Sequence, residues 1–355
     1  MTSLEFCHEL EFTKINFIER KSKITHPKTI LLGAPKVGKS FLIYDYLSNF
    51  KSKEYLYIDF DDYRNDKEEI SENLEEYVFR NNIKVIVLEN FLFDIKIPFC
   101  DSVIITSKIQ KNMKGYKSIK VNPLDFEEYL LHDKRNQNIT HNFNSFLKYG
   151  NLPQTPQIPD FRIFKELQNI IKLIFEDKTS EEILKILIFN IDEKKSLNQL
   201  YLSLKSKMKI SKDKFYEQCK LLEENFIIYF ISKYNQEKAV KKIYLYNSAF
   251  FSAISHKKKF KNEFTNIIFQ ELLNKQEEIF YLDYIDFYIP KKDMGIVSIP
   301  FFNSILMQAQ LKKIKKTALE YHIKEINIIT VSNNEVINSK ELKINVLPFY
   351  EWALG

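Results

Sequence analysis

Gly33-Ala34-Pro35-Lys36-Val37-Gly38-Lys39-Ser40 follows the apolar run Lys28 to Leu32 and opens a stretch, Ser40 to Phe50, whose apolar residues recur at helical spacing. The eight residues match G-x-x-x-x-G-K-[ST] at every fixed position, between a strand and a helix. Each position has a physical reason. The glycines let backbone N–H groups turn inward around an anion. The start of the helix adds unpaired N–H donors and positive partial charge. Lys39 has the reach for β- and γ-phosphates, and the Ser40 hydroxyl suits Mg2+. All eight residues, Ala34, Pro35, Lys36 and Val37 included, are therefore expected to cradle a nucleoside triphosphate, in the first instance ATP with Mg2+.

Outward from this loop, apolar runs alternate with helical stretches. Glu54 to Phe60, Val85 to Leu88 and Val103 to Thr106 read as strands, and Asp66 to Arg80 as an amphipathic helix with Ile70, Leu74, Tyr77 and Val78 on one side. Short β-branched runs suit strands buried on both faces, so the fold class is α/β, a parallel sheet flanked by helices. Enzymes that hydrolyse triphosphates need a carboxylate near the metal and a base for water. After Val85 to Leu88 come Glu89 and Asn90. Glu89 keeps a carboxylate for the metal shell. Asn90 stands where the base belongs, and a neutral amide takes no proton. Slow hydrolysis is expected, with Asp59, Asp61 or Asp62 as alternative carboxylates, or a solvated turn. Thr106 and Ser107, ending the next strand, stand where a γ-phosphate contact is expected, or form a strand-terminal turn.

With 355 residues, 45% of them hydrophobic, the chain has material for two or three packed domains. The net charge of +6 is mild for this length and demands neither nucleic acid nor an acidic membrane. Lys abounds while arginine is confined to Arg20, Arg64, Arg80, Arg135 and Arg162. Cys7, Cys100 and Cys219 lack metal-ligand spacing and read as core residues. No apolar run approaches the roughly 20 residues of a membrane span, and Glu5, Glu9 and Glu11 do not suit a signal peptide. A cytoplasmic protein without a membrane partner is expected.

Pro153, Pro156 and Pro159 suggest a boundary, giving a first domain of residues 1–155. In 156–255, Thr179 with Glu182 and Ser196 with Gln199 read as capping boxes, and Phe215, Cys219 and Leu222 as one helix face. Two strand-like runs follow, 226–231 and 242–246. Three helices and a hairpin form the plan of a winged helix. Residues 256–355 read as a third, α/β unit.

Together these residues resemble a family of prokaryotic AAA-type ATPases whose second half carries a winged helix and a restriction-endonuclease-like fold. Besides the loop, the resemblance rests on Val121-Asn122-Pro123-Leu124-Asp125-Phe126-Glu127-Glu128-Tyr129, on Phe146-Leu147-Lys148-Tyr149-Gly150-Asn151-Leu152-Pro153, and on Ile243-Tyr244-Leu245-Tyr246-Asn247. The family pattern has Asp-Glu where this chain has Glu89-Asn90, and Gly-Arg where it has Gly115-Tyr116. The resemblance implies that Glu263 and Asp286 match the first acids of a nuclease site. Aligned on Gly295, Pro300 and Phe302 replace its Glu-x-Lys, so no nuclease chemistry is expected.

Lys205, Lys207, Lys209, Lys212, Lys214 and Lys220, and the cluster His256 to Lys261, fit phosphate contacts to nonspecific DNA or simply a solvated face. No arginine follows Arg162, which removes the commonest guanine contact. The first functional expectation is an ATP-binding, slowly hydrolysing protein whose nucleotide state regulates a protein partner or homo-oligomer. The alternatives are a DNA-binding regulator with structural ATP and, disfavoured, an ATP-dependent nuclease.

Overall fold

Strand β1 (Lys28–Leu32) and helix α2 (Lys39–Leu47) bracket the glycine loop, as the sequence suggests. A computed structural model of the chain describes residues 2–12, 19–133, 137–175, 177–275, 277–337 and 342–355, so Arg135 lies outside them. Two compact units emerge, Met1–Asn122 and Pro123–Gly355.

The first unit begins with α1 (Ser3–His8) and continues through β1 and α2 to β2 (Tyr55–Asp59), α3 (Lys67–Arg80), β3 (Val85–Glu89), β4 (Ser102–Thr106) and β5 (Lys117–Lys120). Its described residues form one five-stranded, wholly parallel sheet in the order β2-β3-β4-β1-β5. Every residue of β3 and β4 is buried, which is why these runs are apolar without alternation. Helix α3 starts at Asp66, whose carboxylate accepts from the Glu68 and Glu69 N–H groups, and buries Ile70, Leu74 and Val78. The edge strand β5, Lys-Ser-Ile-Lys, has no apolar run to announce it. The chain leaves β1 for β2 at one end of the sheet and β4 for β5 at the other. The C-terminal edge between β1 and β4 is thus a topological switch point, where open parallel sheets bind ligands.

The second unit opens with α4 (Phe126–Leu131) and α5 (Ile139–Tyr149). Residues 123–155 were expected in the first domain. Instead Phe126, Tyr129, Phe143 and Phe146 share one core with Phe264, Phe287 and Phe349, so the break precedes them. Next come α6 (Asp160–Lys172), α7 (Lys178–Ile188), α8 (Leu197–Lys205), α9 (Lys212–Glu224), and an antiparallel ribbon of β6 (Ile228–Ile231) and β7 (Lys242–Leu245). The cap of α7 is Asp177, which accepts from the Ser180 N–H, two residues before the expected Thr179. The Ser196–Gln199 capping box is present. After α10 (Phe250–Ile254) and α11 (Phe260–Asn274) come β8 (Phe280–Leu282), β9 (Ile285–Ile289), β10 (Met294–Ser298), α12 (Gln308–Glu320), β11 (Glu325–Thr330), β12 (Glu335–Ile337), β13 (Lys343–Pro348) and α13 (Phe349–Leu354). The described strands β8 to β13 form a six-stranded mixed sheet, in the order β12-β13-β11-β10-β9-β8. No described helix is long and apolar enough to cross a membrane.

Candidate phosphate-binding site

The loop Gly33 to Ser40 leaves the C-terminal edge of β1 and turns into α2 through residues that need unusual backbone. Gly33 has φ 149°, Lys36 63° and Gly38 99°. A Cβ at Gly33 would lie 2.4 Å from the Val121 carbonyl oxygen, so only glycine fits there. Val37 is fully buried and anchors the loop, whereas Lys36 is exposed. The Arg20 guanidinium clamps the loop from behind, donating to the carbonyls of Val37 and Asn122, both at 2.9 Å. Gly38 caps α2 without any side-chain hydrogen bond, in contrast to the caps of α3 and α7. The first-turn N–H groups of α2 have no intrahelical partner and are the donors an anion would use.

The Lys39 ammonium donates to the carbonyls of Gly33 at 2.8 Å and Ala34 at 2.9 Å, which folds its side chain over the loop. Burial pulls its pKa down to about 8, with the Glu89 carboxylate acting in the opposite direction. The Ser40 hydroxyl donates to Glu89 Oε1 at 2.5 Å. The other Glu89 oxygen accepts from the Tyr57 hydroxyl, which itself lies 3.3 Å from that of Tyr44. Burial raises the Glu89 carboxyl above its ordinary pKa, against the lowering by Ser40 and Tyr57. These residues fit an Mg2+-bound triphosphate. A hydroxyl and one carboxylate already adjoin, and Mg2+ commonly takes one or two carboxylates and fills its shell with phosphate oxygens and water. Among the described residues, no group of three or more His, Cys, Asp or Glu forms a metal cage independent of phosphate.

Asn90 has a left-handed backbone, φ 57°, a conformation that Asn tolerates. Its N–H donates to Thr106 Oγ1 at 2.9 Å and its side-chain amide to Asp59 Oδ1 at 2.8 Å. Ser107 donates to the Phe91 carbonyl at 2.6 Å. Thr106 and Ser107 thus shape the turn after β3. The structure brings Glu89 to the loop, and Asn90, Thr106 and Asp59 to one another. Of the neighbouring acids, Asp62 is bound by Arg64 at 2.5 Å and Asp61 is exposed. Sequence reasoning missed Arg20, Tyr44 and Tyr57. Tyr57 hides in a strand's apolar run, and Arg20 carries no signal beyond its rarity.

In the second unit, Asp286 accepts from the Ser298 N–H at 2.9 Å and meets Lys242 at 3.1 Å. Continuing the β9–β10 register places Val297 opposite Asp286, with Ser298 the next residue along. Phe302 is packed in the core and the Pro300 carbonyl accepts from Val331. Lys242 also pairs with Asp192 at 2.7 Å, and Tyr244 donates to the same Asp192 oxygen at 2.8 Å. Glu263 accepts from Ser252 at 2.6 Å. Of the α9 lysines, Lys214 is paired with Asp177 and Lys220 with Glu224, while Lys212 lies over the Tyr216 ring.

No protein-family model matches the chain. It is similar to an uncharacterised protein of Methanocaldococcus jannaschii, 21% identical over an alignment of 391 positions that covers 92% of this chain and 88% of that protein. Among solved structures it is similar to a Walker-type ATPase of Pyrococcus abyssi, with TM-score 0.44 and 14% identity over 64% of this chain and 91% of that one.

Proposed function

We propose that this chain binds ATP with Mg2+ on the loop Gly33 to Ser40, hydrolyses it slowly, and uses nucleotide state to regulate a partner or its own assembly. The observation that carries the reading is the loop's geometry. An uncapped helix start, a folded-back Lys39 and the Ser40–Glu89 pair meet at the switch point of a parallel sheet. Lys39 would move from the two carbonyls to the β- and γ-phosphates, and the α2 N–H groups would hold their oxygens. Ser40 and Glu89 would ligate Mg2+, which neutralises phosphate charge when bound. Asn90 at the base position favours slow turnover.

Lys39→Ala should abolish ATP·Mg2+ binding in calorimetry while leaving far-UV circular dichroism unchanged. Equal affinity in a folded Lys39→Ala protein would overturn the reading. The nuclease alternative is disfavoured, since Lys242 lies against Asp286, one of the two carboxylates that would start such a site, and Ser252 donates to the other, Glu263. DNA binding remains a second reading only for lysines such as Lys207, Lys209, Lys257 and Lys258, none within ion-pair distance of a described carboxylate. Contacts of that kind would weaken steeply with salt and ignore sequence.

A further inference from the structure

We infer that Asp59 is the general base for ATP hydrolysis in this chain, its carboxylate delivered from strand β2 to the place left without one at Asn90. The inference rests on the ATP·Mg2+ reading above. Strands β2 and β3 run in register, with Asp59 beside Glu89, and the Phe60 N–H donates to the Glu89 carbonyl at 3.0 Å. The two strand ends are thereby level at the sheet edge that carries the phosphate loop.

Glu89 is not the base in this reading, because the oxygen that now meets Ser40 would turn to Mg2+ and the other accepts from Tyr57. Asp62 is engaged by the Arg64 guanidinium. Asp59 differs from both. Its Oδ1 accepts from the Asn90 amide at 2.8 Å and from the Asp61 N–H at 3.0 Å, which fixes the carboxylate plane. Its Oδ2 has no hydrogen-bond partner among the described residues, and the side chain is only half-buried, so water reaches it. Asn90 must present its NH2 to Asp59, which leaves its own carbonyl oxygen as a second acceptor. A water held between the Asn90 carbonyl and Asp59 Oδ2 has both protons engaged and a lone pair available for attack.

In the step, the water oxygen bonds to the γ-phosphorus and one of its protons passes to Asp59 Oδ2. The bond from that phosphorus to the β–γ bridging oxygen breaks, and ADP leaves with the electron pair. Asp59 then returns the proton to solvent. Asn90 acts as a positioning residue. Its left-handed backbone and its bond to Thr106 hold the amide where it meets both Asp59 and the water.

The test measures single-turnover phosphate release and ATP·Mg2+ affinity on the full chain, in the parent, Asp59→Asn, Asp61→Asn, and the exchange variant Asp59→Asn/Asn90→Asp. Asp59→Asn should lose on the order of a hundredfold in rate, with affinity within about threefold of the parent. Asp61→Asn should match the parent. The exchange variant returns a carboxylate to β3 and should recover at least tenfold over Asp59→Asn, a gain that a purely structural Asp59 would not allow. If Asp59→Asn melts early, the exchange variant decides the matter. Asp59→Asn turning over within threefold of the parent would overturn the inference, as would a parent that binds ATP and releases no phosphate. A parent that binds no ATP would instead sink the nucleotide reading and this inference with it.

Discussion

Burial holds the Lys39 ammonium near pKa 8, below its ordinary 10.5, so the free loop loses this charge as the pH rises past the upper edge of the neutral range. Bound phosphates favour the charged form and raise the pKa again. The sign follows: below about pH 8 Lys39 is already protonated and affinity is full. Above it the site must take up a proton to bind, and affinity falls toward tenfold per pH unit. Calorimetry should show ATP·Mg2+ binding roughly tenfold weaker at pH 9 than at pH 7. It should also show proton uptake at the higher pH, read from buffers of different ionisation enthalpy. Unchanged affinity across that range would mean that Lys39 does not meet the phosphates. Of the residues around it, Ser40 and Glu89 were legible because their chemistry is tied to fixed spacing from a strand. Tyr57 and Arg20 were not, because they reach the site through contacts 32 and 17 residues apart in sequence.

Within the first unit, the starts of α3 and α2 differ. Helix α3 has Asp66 accepting from two N–H groups at 2.9 and 3.1 Å, whereas α2 begins at Gly38 with none of its donors answered by a side chain. Losing a good cap costs about 1 kcal/mol. Asp66→Ala should therefore lower the unfolding free energy by that amount in denaturant titration and leave ATP affinity unaltered. A loss of ATP affinity would show that α3 communicates with the loop. Element by element, strands β1 to β4 could be read in advance because burial on both faces demands apolar residues. Strand β5 could not, being a polar edge of four residues. The cap of α7 was misplaced because Thr179 and Glu182 have capping-box spacing, while Asp177 two residues earlier takes the bond.

At the scale of the molecule, the sequence placed the first boundary at the prolines near residue 155, and the break lies at 122/123. Prolines report on local backbone. The boundary depends on a core assembled from Phe126, Phe146, Phe264 and Phe349, which lie too far apart in the chain to show periodicity. The trio of Asp192, Lys242 and Asp286 is likewise long-range, each carboxylate about fifty positions or fewer from the lysine, and its lysine and Asp192 are almost fully buried. One ammonium ties the turn after α7, the ribbon and the C-terminal sheet. It can do so only after all three have formed, so the trio belongs to the native side of the folding barrier. Removing the cation strands two carboxylates in the interior, a loss of about 3–5 kcal/mol. Stopped-flow measurements on Lys242→Met should show that loss almost wholly as faster unfolding, with refolding slowed by less than about threefold. A refolding rate that drops by the larger factor would place the trio in the nucleus. On the expected outcome, three buried charges set the lifetime of the second unit, and the speed at which it forms is decided elsewhere.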